Sequence, residues 1–143
     1  MKHYELLEHT ADVGVKAYGG TVAEAFEHAA EAMFDIITDK SKIKPVGEYT
    51  IQLEAPDLEQ LLVDWLSQLL LLNGVKNLVF GKFMVSLEGN RLTAQVFGEE
   101  YDTKKHKMGV EIKAVTYHML AVNEKKPVYV QVLFDILLFD SGS

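Results

Sequence analysis

Residues 21–37 read TVAEAFEHAAEAMFDII, and their spacing decides what the rest of the chain has to complete. Thr21 with Glu24 three positions later forms a capping box. The Thr21 hydroxyl is placed to accept from the Glu24 amide, and the Glu24 carboxylate to reach back to the amide of Thr21. Val22, Ala25, Phe26, Ala29, Ala30, Met33, Phe34 and Ile37 then recur at helical spacing, leaving Glu24, Glu27, His28 and Glu31 on the other side. This predicts a helix that buries one face and therefore needs a partner layer.

A second helix is predicted after Ala55-Pro56, with Asp57 as N-cap and Gln60 three residues on. Its stripe is Leu58, Leu61, Leu62, Trp65, Leu66 and Leu69, and Asn73-Gly74 reads as a left-handed stop. Around these helices the chain reads as strands, at 3–8, 13–18, 48–54, 78–87, 91–98, 110–114, 117–123 and 127–134, several of them alternating apolar with polar residues. Glu88-Gly89-Asn90 reads as a hairpin turn, and Asn123–Lys126 before Pro127 as another. The expectation is an α+β fold in a single domain, a mainly antiparallel sheet with two helices packed on one face.

The 143 residues suit one domain, and 48% hydrophobic against 24% charged residues is ordinary globular usage. The absence of cysteine excludes disulfides, thiolate metal sites and thiol nucleophiles, so any metal must use oxygen or imidazole. No signal-peptide pattern opens the chain, and Leu69–Leu72 is too short to cross a bilayer; a soluble, cytoplasmic protein without a membrane role is expected. A net charge of −7 argues against direct nucleic-acid binding. The basic cluster Lys104, Lys105, His106 and Lys107 reads as a solvated turn.

No P-loop, G-x-S-x-G or H-E-x-x-H motif is present. The residues that remain as candidates are His9, Asp12, Asp64, Lys113, Tyr117 and His118. Asp12 is expected at a strand rim as a turn former, His9 as a structural hydrogen-bonding histidine, and Asp64 at the edge of the second helix's apolar stripe. Alternation would send Lys113, Val115 and Tyr117 to one face. Asp135 interrupts the otherwise apolar run VLFDILLF, where a charge is costly unless paired, exposed or bound to a cation. Asp12 and Asp135 with main-chain oxygens and water would suit a hard cation. Nothing in the linear spacing brings them together.

Three segments in this order, EHTADVGVKAYG (8–19), KAVTYH (113–118) and LFDI (133–136), resemble the archease family. The resemblance spans nearly the whole chain and implies an accessory protein rather than an enzyme, with no catalytic residue of its own. Its expected partner is the GTP-dependent tRNA-splicing RNA ligase of the RtcB type. There it would promote guanylylation of the ligase and multiple turnover, with broader nucleotide use and a chaperone-like action on RNA methyltransferases as further roles. It also implies a divalent cation, Ca²⁺ first and Mg²⁺ or Mn²⁺ after it, held by Asp12, Asp135 and the main-chain oxygen of Ile136. His9, Asp64, Lys113, Tyr117 and His118 would belong to the functional surface around it. The chain departs from the family pattern by continuing past 136 with LLFDSGS; residues 1–136 form the expected domain and 137–143 a linker-like tail. In that tail Asp140 is a rival ligand. The alternative from another class is a hydrolase that activates a metal-bound water, with His9 or His118 as base.

Overall fold

A computed structural model describes residues 2–9 and 12–137, without the side chains of Glu8 and His9. Thr21 caps α1 (Val22–Ile37), its hydroxyl accepting from the Glu24 amide at 3.1 Å. The other half of the capping box differs from expectation: Glu24 accepts from the amide of Gly20, at 2.9 Å, not from Thr21. Gly19 explains the shift. A Cβ there would lie 2.6 Å from the Ala25 nitrogen, so only glycine lets the chain fold this tightly onto the first turn and aim the Gly20 amide at the carboxylate.

The second predicted helix is α2 (Leu58–Lys76), capped by Asp57 through a 2.8 Å bond from the Gln60 amide. It runs past Asn73-Gly74. The left-handed residue is Asn77, at φ 58° and ψ 36°, whose amide returns to the Leu72 carbonyl. Gly74 is thus a helix-interior residue with open space around it, and Asn73 serves the end of the helix by donating its side-chain amide to the Leu78 carbonyl. Trp65 is fully buried and its indole N–H donates to the Phe26 carbonyl at 3.0 Å, which pins α2 to α1.

The strands are β1 (Tyr4–His9), β2 (Asp12–Tyr18), β3 (Gly47–Glu54), β4 (Leu78–Glu88), β5 (Arg91–Glu100), β6 (Glu111–Asn123) and β7 (Tyr129–Leu137), with a short 3₁₀ turn at Lys40–Lys42. All their pairings are antiparallel. They divide into two sheets, β1-β2-β7-β6 and β3-β5-β4, where the sequence suggested one. The division follows the helices. The central strands, β3 with the β4–β5 hairpin, are set off from the N-terminal hairpin by α1 and are themselves interrupted by α2, so the N- and C-terminal strands pair with each other instead. Helix α1 packs on both β2 and β4, bridging the two sheets, while α2 packs chiefly on β6. Phe26, Phe34, Trp65, Phe80 and Phe134 fill the core between these layers.

The Gly89-Asn90 turn joins β4 to β5 with Gly89 at φ 60°, as its sequence implies. The two predicted strands 110–114 and 117–123 are one element, β6, with register irregularities at Ile112/Ala114 and Thr116/Ala121. One face of α1 also departs from expectation. His28, grouped by sequence with the outer carboxylates, is buried, and its Nδ1 lies 2.5 Å from the Tyr18 carbonyl. That bond satisfies a polar group that an apolar stripe would otherwise exclude.

Candidate functional site

Pairing of β2 with β7 joins the N- and C-terminal halves of the first sheet and brings together residues more than 120 positions apart. Its last pair is Asp12 with Asp135. In the same row His9 of β1 is the register partner of Asp12, and Ala114 of β6 that of Asp135. Directly opposed residues of an antiparallel pair project to the same face with Cβ atoms roughly 4.5–5.5 Å apart, so the two carboxylates stand side by side at the sheet rim. Both residues are half-buried. Among the described side chains, no lysine, arginine or histidine forms an ion pair with either.

Like charges directly opposite on paired strands are destabilising. A hard divalent cation removes that conflict and prefers this donor type. Ile136 follows immediately and lies beyond the last β2–β7 pair. Its buried side chain is a hydrocarbon with no donor atom, so only its main-chain oxygen could contribute a ligand. The donor set therefore fits a calcium-like ion. Asp140 and the rest of the tail from Leu138, like Thr10 and Ala11, lie outside the described residues, as does the side chain of His9.

The central candidates flank this rim on β6. Lys113, Tyr117 and His118 are exposed, whereas Val115 packs against the core, so the three alternating residues do not share one environment. The irregularities at Ile112/Ala114 and Thr116/Ala121 break the two-residue period that alternation assumes. Thr116 holds the second of them: its hydroxyl donates to the Leu133 carbonyl at 2.9 Å and accepts from the His118 amide at 3.3 Å. Met119, at φ 59°, completes the bend, and Gln131 donates to its carbonyl at 3.0 Å.

Asp64 is held by a neighbour on α2. It accepts from Gln60 Nε2 at 2.8 Å, and the same nitrogen lies 3.2 Å from the Tyr117 hydroxyl, linking α2 to the β6 bend. Gln60 was assigned only a helix-start role from sequence; its i, i+4 spacing to Asp64 is the signal that could have revealed the link. The basic cluster is a turn with Lys104, Lys105 and Lys107 exposed, as expected, but its histidine is not solvated. His106 is buried, accepting from the Asp102 amide on Nδ1 at 2.8 Å, with Nε2 2.9 Å from Glu99. Glu99 further accepts from Lys105 at 2.6 Å and from the Lys44 amide at 2.8 Å. Burial alone would raise its pKa, but these donors together outweigh it and hold the carboxyl at about 2.

A cavity of about 330 Å³ lies between the C-terminal ends of α1 and α2 and the start of β6, lined by Ile37, Asn73, Tyr101, Met108 and Glu111 among others. Its lining offers one carboxylate, Glu111, and no histidine.

Fold and site together define a class: a two-sheet α+β protein with two packed helices and a paired-carboxylate rim. Residues 4–136 match the Archease protein family (MTH1598/TM1083). The chain is 49% identical over 128 residues to protein archease of Methanosarcina barkeri, covering 86% of this chain and 88% of that protein. It is 38% identical over 132 residues to protein archease of Sulfurisphaera tokodaii, covering 91% and 95%. The solution structure of Methanobacterium thermoautotrophicum protein 1598 superposes with a TM-score of 0.84 at 36% identity, over 94% of this chain and 99% of that one. The chain belongs to the archease family. A Thermotoga maritima crystal structure, described as an archease and possible chaperone, shares the fold at a TM-score of 0.60 and 21% identity, over 92% and 94% of the two chains.

Proposed function

We propose that this chain is an accessory protein of a GTP-dependent RNA ligase of the RtcB type in tRNA splicing, promoting guanylylation of the ligase and repeated turnover. Family membership supports the class of role, and the observation that carries the site is the Asp12–Asp135 register pair. Asp12, Asp135 and the main-chain oxygen of Ile136 would hold a divalent cation, Ca²⁺ before Mg²⁺ or Mn²⁺. When bound, the cation supplies positive charge and open coordination positions to phosphate oxygens. The chain's own contribution is to fix the two carboxylates at the end of the central β2–β7 pair and to present Lys113, Tyr117 and His118 on the adjoining β6 surface. With a net charge of −7 the partner surface is expected to be basic protein rather than RNA, in the cytoplasm.

The test is guanylylation of the cognate ligase with wild type and with Asp12→Ala. Stimulation by wild type that Asp12→Ala lacks supports the role; equal stimulation by both removes the rim from it. A second reading, a chaperone for RNA-modifying enzymes such as RNA methyltransferases, draws on the description of the Thermotoga protein and on the exposure of Tyr117 and Met119. It predicts suppressed aggregation of such a partner with ligation kinetics unchanged. The hydrolase alternative is separated by incubating the purified protein alone with phosphoester and ester substrates, where it requires metal-dependent turnover lost in Asp12→Ala.

A further inference from the structure

A second cluster of metal-binding groups lies at the other end of the β1–β2 hairpin. His3, His28 and Glu31 each offer a ligand atom, and these atoms lie within 4.8 Å of one another. His28 and Glu31 are one turn apart on α1. His3 is brought over them by the Tyr18 amide, which donates to the His3 carbonyl at 2.8 Å. From His3 to His9 the strand spans about 20 Å, so this cluster is remote from the acidic rim.

We propose that His3, His28 and Glu31 form a site for a zinc-type divalent metal, distinct from the carboxylate rim. The chemistry differs from that of the rim: two imidazoles and one carboxylate are borderline donors, suited to Zn²⁺ or Co²⁺ rather than Ca²⁺. Placement of His28 is the strongest argument. Its Nδ1 faces the Tyr18 carbonyl, which takes that nitrogen as the N–H donor and leaves the Nε2 lone pair for a metal. A backbone carbonyl fixing the ligand tautomer in this way is the usual second partner of a metal-bound histidine. Glu31 Oε2 already stands 3.2 Å from His3 Nδ1. Asp35, one turn further along α1, is engaged by the Tyr4 hydroxyl and the Lys40 amide, which leaves Glu31 as the available carboxylate.

The rings of His3 and His28 are stacked, 3.9 Å between centroids and 4° from parallel. Lone pairs in parallel planes do not converge, so His3 must turn out of the stack on binding. Its side chain is 56% exposed and has room to do so. Ligand atoms around a tetrahedral zinc are about 3.4 Å apart, so the closure needed is on the order of 1 Å. Three protein ligands leave a fourth position for water, and the bound metal would fasten the edge strand β1 to α1.

The test is calorimetric titration of the purified protein with Zn²⁺ alone in saturating Ca²⁺, repeated with Co²⁺ by visible absorption. Expected is one saturable site that persists in Asp12→Ala and weakens about tenfold or more in both His3→Ala and Glu31→Gln. His28→Gln should lose it too, but His28 is buried, so the two more exposed variants carry the test if that one fails to fold. Absence of saturable binding up to about 1 mM overturns the proposal. So does equal binding by wild type, His3→Ala and Glu31→Gln, or loss in Asp12→Ala alone.

Discussion

Glu99 and the Asp12–Asp135 pair are both carboxylate sites at strand ends, treated oppositely by their surroundings. Glu99 receives donors from Lys105, His106 and the Lys44 amide, and its charge is satisfied within the fold. Asp12 and Asp135 face each other across a strand pair, with no basic partner among the described side chains. A carboxylate with such donors is part of the architecture. Two opposed carboxylates without them are left unsatisfied by the fold, which is what the proposed cation role would answer.

The scaffold beneath both sites sets the largest effect. Trp65→Ala removes a fully buried indole and its bond to Phe26, and should cost about 3–5 kcal/mol in urea unfolding, disabling both sites together. Next is Ca²⁺. At about 100 times its Kd it should raise wild-type stability by about 2.7 kcal/mol, reversed by chelation, and leave Asp12→Ala unmoved. In metal-free buffer the contrast inverts: Glu99→Ala should cost about 2 kcal/mol, whereas Asp12→Ala should be neutral or slightly stabilising because it relieves like-charge opposition. An Asp12→Ala chain destabilised as much as Glu99→Ala would erase the distinction.

Acid unfolding sharpens it further. Glu99 titrates at about 2 in the folded chain against 4.5 for an unperturbed glutamate, so its contribution is complete above about 4.5 and is lost as pH falls toward 2. Wild type should lose stability through that window faster than Glu99→Gln, as followed by circular dichroism in urea at fixed pH. The smallest effect belongs to Tyr117→Phe, which removes one exposed partner of Gln60 and should change stability by about 0.5 kcal/mol or less.

Local features were the most legible in the sequence. Thr21 and Asp57 cap their helices as their spacing implies, and the Gly89-Asn90 hairpin forms where it is written. Capping and turn chemistry involve neighbours within four residues, which a linear reading can see. Nothing local encodes that β2 pairs with β7, so the meeting of Asp12 and Asp135 was invisible to spacing and suggested only by family resemblance. His28 was misassigned because its polarity groups it with Glu24, Glu27 and Glu31, while its burial depends on the Tyr18 carbonyl supplied by another strand. Lys113, Val115 and Tyr117 were expected on one face because a two-residue period cannot anticipate the irregularities that Thr116 and Met119 build into β6.

The β2–β7 pairing has a consequence in time as well as in space. One carboxylate of the rim is made among the first dozen residues and the other only when β7 is. During synthesis the nascent chain carries only Asp12 of the pair until β7 has left the ribosome. A chain ended before β7 would keep that carboxylate alone, so under the proposed cation role the affinity for a cation would report that synthesis has passed through β7.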